Sequence, residues 1–352
     1  MKVPRVSVIM PVYNAETFVR ETIDSILYQS FADFEFLIVD DGSSDKSFDV
    51  ISTYIDQRIR VYKNDMNIGY VRTLNHLICL AKGEYIARQD ADDISLPKRL
   101  EQQVCFMENN LDVGVCGTNA KIFGKKNWKT SVPIKDADIR ANMIFRNPLL
   151  HTSVMIRRSM FLDGGITKYD YYYCPSEDYA LWFEFSLKAK LTNLPAELVL
   201  YRCHDKNVSL INEKIQIENA NRIRHRVLEC SLSIVMTEKE KCLHDLFFMS
   251  SNININDLKA LEKWYLKLLS TNKVKKYYSD QALNKVILTY WTMVCFGKSN
   301  VPFRKIILIY LFSKIFNIFS LLNLFSIQNF KNAIYNFKNN AHKKNSLRNI
   351  AE

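Results

Sequence analysis

The sequence predicts an α/β protein: a doubly wound, mostly parallel sheet followed by a helical C-terminal region. Three observations lead there. Short, nearly continuous apolar runs alternate with stretches of helical periodicity over the first ninety residues. Each run ends in turn-forming or acidic residues, and after about residue 215 the apolar positions fall at helical spacing alone.

Val6-Ser7-Val8-Ile9-Met10 reads as the first buried strand, expected to stop at Pro11. Asn14 or Thr17 can cap the helix that follows, whose Phe18, Val19, Ile23, Ile26 and Leu27 recur near helical spacing. Phe34 to Val39 is a second strand, ending in Asp40-Asp41-Gly42-Ser43-Ser44-Asp45. Ile59 to Tyr62 is a third, leading through Asn67-Ile68-Gly69 to a helix with Leu74, Leu77, Ile78 and Ala81 on one side. Tyr85-Ile86-Ala87 is the fourth, and it runs into Asp90-Ala91-Asp92-Asp93. Strands joined by helices argue for a right-handed parallel sheet. Tyr13, Asp40 with Asp41, and Asp90 with Asp92 then lie along one edge, where open α/β sheets bind ligands.

Three carboxylates within four residues repel one another unless a cation or solvent separates them. On an extended backbone Asp90 and Asp92 share one side, within reach of a hard ion such as Mg2+ or Mn2+. A lone D-x-D is otherwise a solvated acidic turn. No G-x-x-x-x-G-K-[ST] and no G-x-G-x-x-G occurs in the chain, so a nucleotide pocket here would be built of carboxylates and a cation.

At 352 residues the chain can form one large or two ordinary domains, and 48% hydrophobic with 24% charged residues describes a folded protein. Its net charge of +11 is unevenly placed. Residues 1–240 hold 31 Lys and Arg against 32 Asp and Glu, whereas residues 241–352 hold 17 against 5. Between Asp280 and Glu352 there is no acidic residue, so this region is drawn to an anionic surface, either a phospholipid leaflet or a polynucleotide. Eight scattered cysteines without a C-x-x-C pair suit a reducing compartment. Met1-Lys2-Val3-Pro4-Arg5 leads straight into a strand with no room for a signal peptide, and a cytoplasmic chain is expected.

Four blocks now stand in order: Val6 to Asn14, Val39 to Asp45, Gly83 to Asp93, and Pro97-Lys98-Arg99-Leu100. They closely resemble the family 2 glycosyltransferases of the GT-A fold, whose sheet is Rossmann-like. The likeness continues through Asn147-Pro148-Leu149-Leu150-His151-Thr152-Ser153-Val154-Met155, Ser176-Glu177-Asp178-Tyr179-Ala180-Leu181-Trp182 and Tyr201-Arg202-Cys203-His204, and is similar to the bacterial subgroup that builds surface polysaccharides such as O-antigen or capsule. It implies a catalytic domain over residues 1–215 and a helical, basic region over 216–352. It also implies that Pro11, Tyr13 and Asp41 hold the base and ribose of a UDP-sugar, with Asp90 near the ribose and Asp40 shaping the turn. Asp92 would ligate Mn2+ or Mg2+ on the diphosphate, and His204 would complete the metal shell or touch the diphosphate. Members often carry arginine before the asparagine that is here Asn75; this chain has Leu74, which leaves Arg72, Arg88 or Arg99 as candidates for a phosphate contact.

Glycosyl transfer develops negative charge on the leaving diphosphate, which a divalent ion offsets, while the acceptor hydroxyl needs one base. The resemblance makes Asp178 that base, with inversion at the anomeric carbon. Glu177 and Asp178 also suit the first turn of a helix through Leu181, Trp182 and Phe185, where the macrodipole favours carboxylates. His151 is expected to serve the acceptor site or the structure, and Trp182 the core. Tyr169, Tyr171, Tyr172 and Tyr173 can stack on acceptor sugar or simply pack. The acceptor implied is a lipid-linked saccharide at the cytoplasmic face of the inner membrane.

In the C-terminal region Leu258, Leu261, Trp264, Tyr265 and Leu268 predict a helix, and Val286 to Phe296 a second apolar patch. From Lys314 onward Asn317, Ser320, Asn323 and Ser326 recur every third residue between apolar pairs, flanked by Arg304, Lys305, Lys331, Lys338, Lys343 and Lys344. An interfacial helix on an anionic leaflet fits that pattern better than a spanning one; a packed subdomain is the alternative. A nucleic-acid binder would use the same basic excess, but no reading motif is present and no nucleic acid is expected. A sugar-phosphate nucleotidyltransferase would want a glycine-rich loop where Pro11-Val12-Tyr13-Asn14 stands.

Overall fold

A computed structural model describes residues 3–162, 168–205, 207, 212–249, 253–299, 301–311 and 313–315. Its first four strands, β1 (Val6–Val12), β2 (Phe34–Asp40), β3 (Ile59–Lys63) and β4 (Tyr85–Arg88), are parallel in the order β3-β2-β1-β4. They alternate with α1 (Val19–Leu27), α2 (Ser47–Ser52) and α3 (Tyr70–Leu80). The period of two sorts the strand residues onto two faces. Val8 and Met10 of β1 and Phe36 and Ile38 of β2 join Val19, Ile23 and Ile26 of α1 in one buried cluster. Helix α3 packs on β1 and β2 without entering that cluster, and so covers the opposite face.

Beyond β4 the parallel order ends. The sheet continues through β5 (Ile94–Ser95), β6 (Val113–Gly124), β7 (Trp128–Lys129), β8 (Met155–Arg157) and β9 (Lys190–Cys203), in the order β4-β8-β6-β9-β5 with β7 on β6. β8 runs antiparallel to both β4 and β6, whereas β6 and β9 are parallel. Helices α4 (Arg99–Asn109), α5 (Asp136–Asn142), α6 (Ser159–Leu162) and α7 (Glu177–Ser186) accompany these strands.

Three local expectations are corrected. β1 does not stop at Pro11 but runs through it to Val12, with Pro11 opposite Val39. Ile9 turns its carbonyl to Gln89 and Val12 turns its own to Asp41, so Pro11, in phase with Ile9, faces the β4 side. β4 pairs only as far as Ile9 opposite Arg88, so the missing N–H breaks no ladder bond. Neither Asn14 nor Thr17 caps α1; Phe18 is the N-cap without a side-chain bond, and the Ala15 carbonyl accepts from the Phe18 and Val19 amides at 2.9 Å. Asp90-Ala91-Asp92 is a turn rather than an extended segment. The chain must reverse there, because β4 ends and β5 pairs antiparallel with β9.

The chain divides into two units, Met1–Ile223 and Arg224–Glu352. After β9 it is helical: α8 (Glu213–Leu232), α9 (Glu238–Met249), α10 (Ile255–Lys275), α11 (Asp280–Met293) and α12 (Phe303–Leu311). α10 opens with a reciprocal capping box between Asn254 and Asp257. Leu258, Leu261, Trp264, Tyr265 and Leu268, the periodic positions of the sequence, are all buried. The polar stripe from Asn317 to Ser326 and the lysines from Lys331 to Lys344 lie outside the described residues. Among the described residues no helix is long and apolar enough to cross a membrane.

Gly42 closes the turn after β2 at a φ of +69°, and a Cβ there would sit 2.5 Å from the Met66 carbonyl carbon. Both facts require glycine. Gly42→Ala is expected to cost about 1–3 kcal/mol in urea unfolding, and a loss below about 0.5 kcal/mol, the ordinary surface scatter, would contradict this close approach.

Candidate active site

The parallel strands bring the ends of β1, β2 and β4 together, and the loops that leave them are tied side to side. Asn14, at φ 49°, donates its amide to Ser43 Oγ at 3.0 Å and accepts from the Ser44 amide at 2.9 Å. Asp41, 2% exposed, accepts from Asn64 Nδ2 at 2.7 Å and from the Ile68 and Gly69 amides at 3.0 Å. Its carboxylate thus holds the loop that enters α3. Asp40 is buried and accepts from the Ser43 amide, within its own turn. Pro11, Tyr13, Asp41, Asp90, Asp92 and His204 line a cavity of about 430 Å³ over these loops.

The acidic turn supplies one wall of that cavity. Asp90 pairs with the fully buried Arg88 guanidinium. Asp92 Oδ2 lies 2.8 Å from His204 Nε2, and the His204 ring stacks on Phe18. Asp93, 1% exposed, accepts from the Arg202 amide at 2.8 Å, while Arg202 Nε donates to the Asp92 carbonyl. β9 therefore clamps the turn. Burial, then Asp90, raises the Asp92 carboxyl above its ordinary pKa, and burial, then Asp92 and Asp90, raises Asp93 well above it.

Tyr70, Asp90 and Asp92 also form one wall of a second cavity, of about 420 Å³. Asn147, His151, Glu177 and Asp178 line it as well. Asp178 Oδ2 accepts from Asn147 Nδ2 at 2.7 Å and Oδ1 from the Tyr179 amide at 2.7 Å. Burial pushes its pKa up to about 6. Glu177, 5% exposed, is pushed up to about 8 by burial and by Asp178. At neutral pH Asp178 is thus mostly ionised and Glu177 mostly protonated. Both open α7, and the loop before it is held by the start of α8, where Asn219 donates to the Cys174 carbonyl and Gln216 to the Pro175 carbonyl.

The residues singled out from the sequence thus converge on two cavities with a common wall. The candidate phosphate contacts do not. Arg88 lies beneath the wall, and Arg99, 0% exposed, gives its nitrogens to Gln89, Ser95, Gln103 and the Arg88 carbonyl. Arg72 is exposed, its guanidinium over the Tyr171 ring. Trp182 is core, edge-on to His151. Sequence reasoning gave no role to Tyr70, Asn147, Gln216 or Asn219. Asn147 stood in a recognised block, but Tyr70 and the α8 residues carry no local signal.

Asp92 and His204 supply two adjacent donors, and among the described residues no group of three His, Cys, Asp or Glu is placed to hold a metal. One carboxylate and one imidazole fit a divalent ion only if its remaining ligands come from outside the protein. Such an ion would also relieve the repulsion between Asp90 and Asp92.

Residues 7–162 match the family model described as Glycosyl transferase family 2. The chain is 32% identical over 237 residues to an uncharacterized glycosyltransferase of Haemophilus influenzae, covering 63% of this chain and 72% of that protein. It is 29% identical over 230 residues to the UDP-Glc:alpha-D-GlcNAc-diphosphoundecaprenol beta-1,3-glucosyltransferase of Escherichia coli, covering 62% and 85%. Among solved structures, S. aureus TarS in complex with UDP-GlcNAc superposes with a TM-score of 0.57 over 90% of this chain and 92% of that one. At 16% identity that likeness is one of fold.

A carboxyl whose pKa is higher folded than unfolded costs stability as pH rises from the unfolded value towards the folded one. For Glu177 that window runs from its ordinary 4.5 to about 8. Glu177→Gln, which stays neutral, is therefore expected to gain about 3–4 kcal/mol over the native chain between pH 5 and pH 8 in urea unfolding. An equal difference at both pH values would show that Glu177 is ionised in the fold.

Proposed function

Because this chain belongs to glycosyl transferase family 2, we propose that it moves a hexose or N-acetylhexosamine from a UDP-sugar to a saccharide acceptor with inversion. The acceptor is a lipid-linked saccharide of a bacterial surface polysaccharide. The observation that carries this reading is the pair of cavities sharing Tyr70, Asp90 and Asp92, with Asp178 lining the second and not the first. A donor in the first cavity and an acceptor in the second would meet at that common wall. UDP-GlcNAc in the TarS complex and the UDP-Glc and diphosphoundecaprenol substrates in the relative's name support a UDP-sugar and a lipid-linked acceptor.

Pro11, Tyr13 and Asp41 border the base and ribose, and Asp90 the ribose. Asp92 and His204 would hold Mn2+ or Mg2+, which when bound offsets the charge that develops on the leaving diphosphate. Asp178 takes the proton of the acceptor hydroxyl as its oxygen attacks the anomeric carbon. Asn147 and the Tyr179 amide orient that carboxylate, and its raised pKa of about 6 makes it a stronger base than an exposed aspartate while leaving it ionised at neutral pH. The basic excess of residues 241–352 would hold the chain against anionic lipid at the cytoplasmic face of the inner membrane.

UDP is expected to raise the melting temperature by several degrees only when Mn2+ or Mg2+ is present, and not in Asp92→Ala, because a ligand bound to the native state alone stabilises it. No shift with any nucleoside diphosphate would sink the donor-site reading. Asp178→Asn is expected to lower kcat by about 10²–10⁴-fold and to leave UDP binding within about twofold of native, as calorimetry would show. Since the base must be ionised, native kcat/KM should fall about tenfold per pH unit below pH 6. In Glu177→Gln that acid limb stays in place, because the residue replaced is already neutral there.

A further inference from the structure

Arg88, Tyr70, His151 and Tyr169 form an unbroken row that includes Tyr70 of the wall the two cavities share. A guanidinium can only donate, so the Tyr70 hydroxyl accepts from Arg88 Nη2, and it is hydrogen-bonded in turn to His151 Nδ1, 2.9 Å away. On its other side His151 Nε2 is hydrogen-bonded to the Tyr169 hydroxyl at 2.7 Å. Burial, and then the Arg88 cation, hold the imidazole pKa well below its ordinary value, so the neutral ring links the two hydroxyls, donating to one and accepting from the other. Tyr169 is fixed at its backbone on both sides by Asn75 of α3, whose Nδ2 donates to the Tyr169 carbonyl at 2.8 Å and whose Oδ1 accepts from its amide at 3.0 Å.

At the other end of the row, Arg88 reaches two side chains, Tyr70 and Asp90, and among the described residues its Nε has no hydrogen-bond partner. Among the described residues the guanidinium is thus aimed by those two groups. We infer that His151, which lines the second cavity and not the first, is a positioning residue for nucleotide-sugar binding: as the hydrogen-bond partner of Tyr70 it fixes Arg88, and through Arg88 the Asp90 carboxylate at the donor cavity. The inference rests on the donor-site reading above. It assigns to a histidine on the acceptor side an effect on donor affinity, the opposite of what its location suggests.

Two amides separate the ring nitrogens. Asn at 151 places an amide near the position of Nδ1 and keeps the bond to Tyr70; Gln places one near Nε2 and keeps only the bond to Tyr169. Calorimetric titration of UDP with Mn2+ into the full chain is expected to give a Kd about tenfold weaker for His151→Gln, and within about twofold of native for His151→Asn. Tyr70→Phe, which removes one oxygen and tests the same link should a histidine variant not fold, is expected to behave as His151→Gln does. In turnover the donor KM rises and the acceptor KM does not. Equal weakening in both amide variants would mean that His151 only fills space, and a change confined to the acceptor KM would make it an acceptor contact; either overturns the inference. A native chain that binds no nucleoside diphosphate removes the donor-site reading and this inference together, whereas native binding with an unchanged His151→Gln removes the inference alone.

Discussion

Three carboxylates follow β4 within four residues, and the site depends on how their charge is balanced. Each is answered differently. Asp90 faces the buried Arg88, Asp92 faces His204, and Asp93 is turned inward to the Arg202 amide. Arg88 and Arg99 bring two guanidinium groups into the same buried region, and Arg99, whose hydrogen bonds among the described residues go to neutral oxygens, has its pKa lowered to about 9 by burial and by Arg88. Removing one member of such a set leaves a buried charge unpaired, which commonly costs about 3–5 kcal/mol. The acidic turn is therefore a fixed object rather than a solvated loop, and two of its carboxylates can face the cavities because the third does not.

The same charge economy reaches across the second cavity. Burial at the start of α7 keeps Glu177 protonated and leaves Asp178 ionised at neutral pH, so this pair presents one anion to the cavity rather than two. Asn147 and the Tyr179 amide stabilise that anion against its burial, and the first turn of a helix adds favourable dipole. Two carboxyls adjacent in sequence thus acquire opposite protonation states from their surroundings.

Much of the fold was legible in order. The buried strands β1 to β4 are short apolar runs, and their parallel pairing follows from the helices between them. The blocks around Asp41 and Asp92 were visible because each sits where an apolar run gives way to charge, and the block around Asp178 because its contiguous residues resemble a family motif. What escaped was long-range. Pro11 looked like a stop, yet β1 continues because its partner on that side has already ended. Arg88 and Arg99 looked like cations awaiting a phosphate, yet both are consumed by contacts with the acidic turn and its supports.

The sequence by itself determined the parallel strands, the edge on which their carboxylates gather, and the family to which the chain belongs, because these rest on local periodicity and on short contiguous blocks. Only the tertiary structure decided that Asp90 and Asp92 form a wall common to two cavities, that Asp93 is turned to the Arg202 amide of β9, and that Tyr70 and His151, 81 residues apart, are joined by a hydrogen bond. The reason is physical. Hydrophobic period and turn chemistry are properties of neighbouring residues, whereas the partner of a buried polar group is chosen by the packing of elements distant in the chain, and nothing in the local pattern of Tyr70 records that a histidine will be waiting for its hydroxyl.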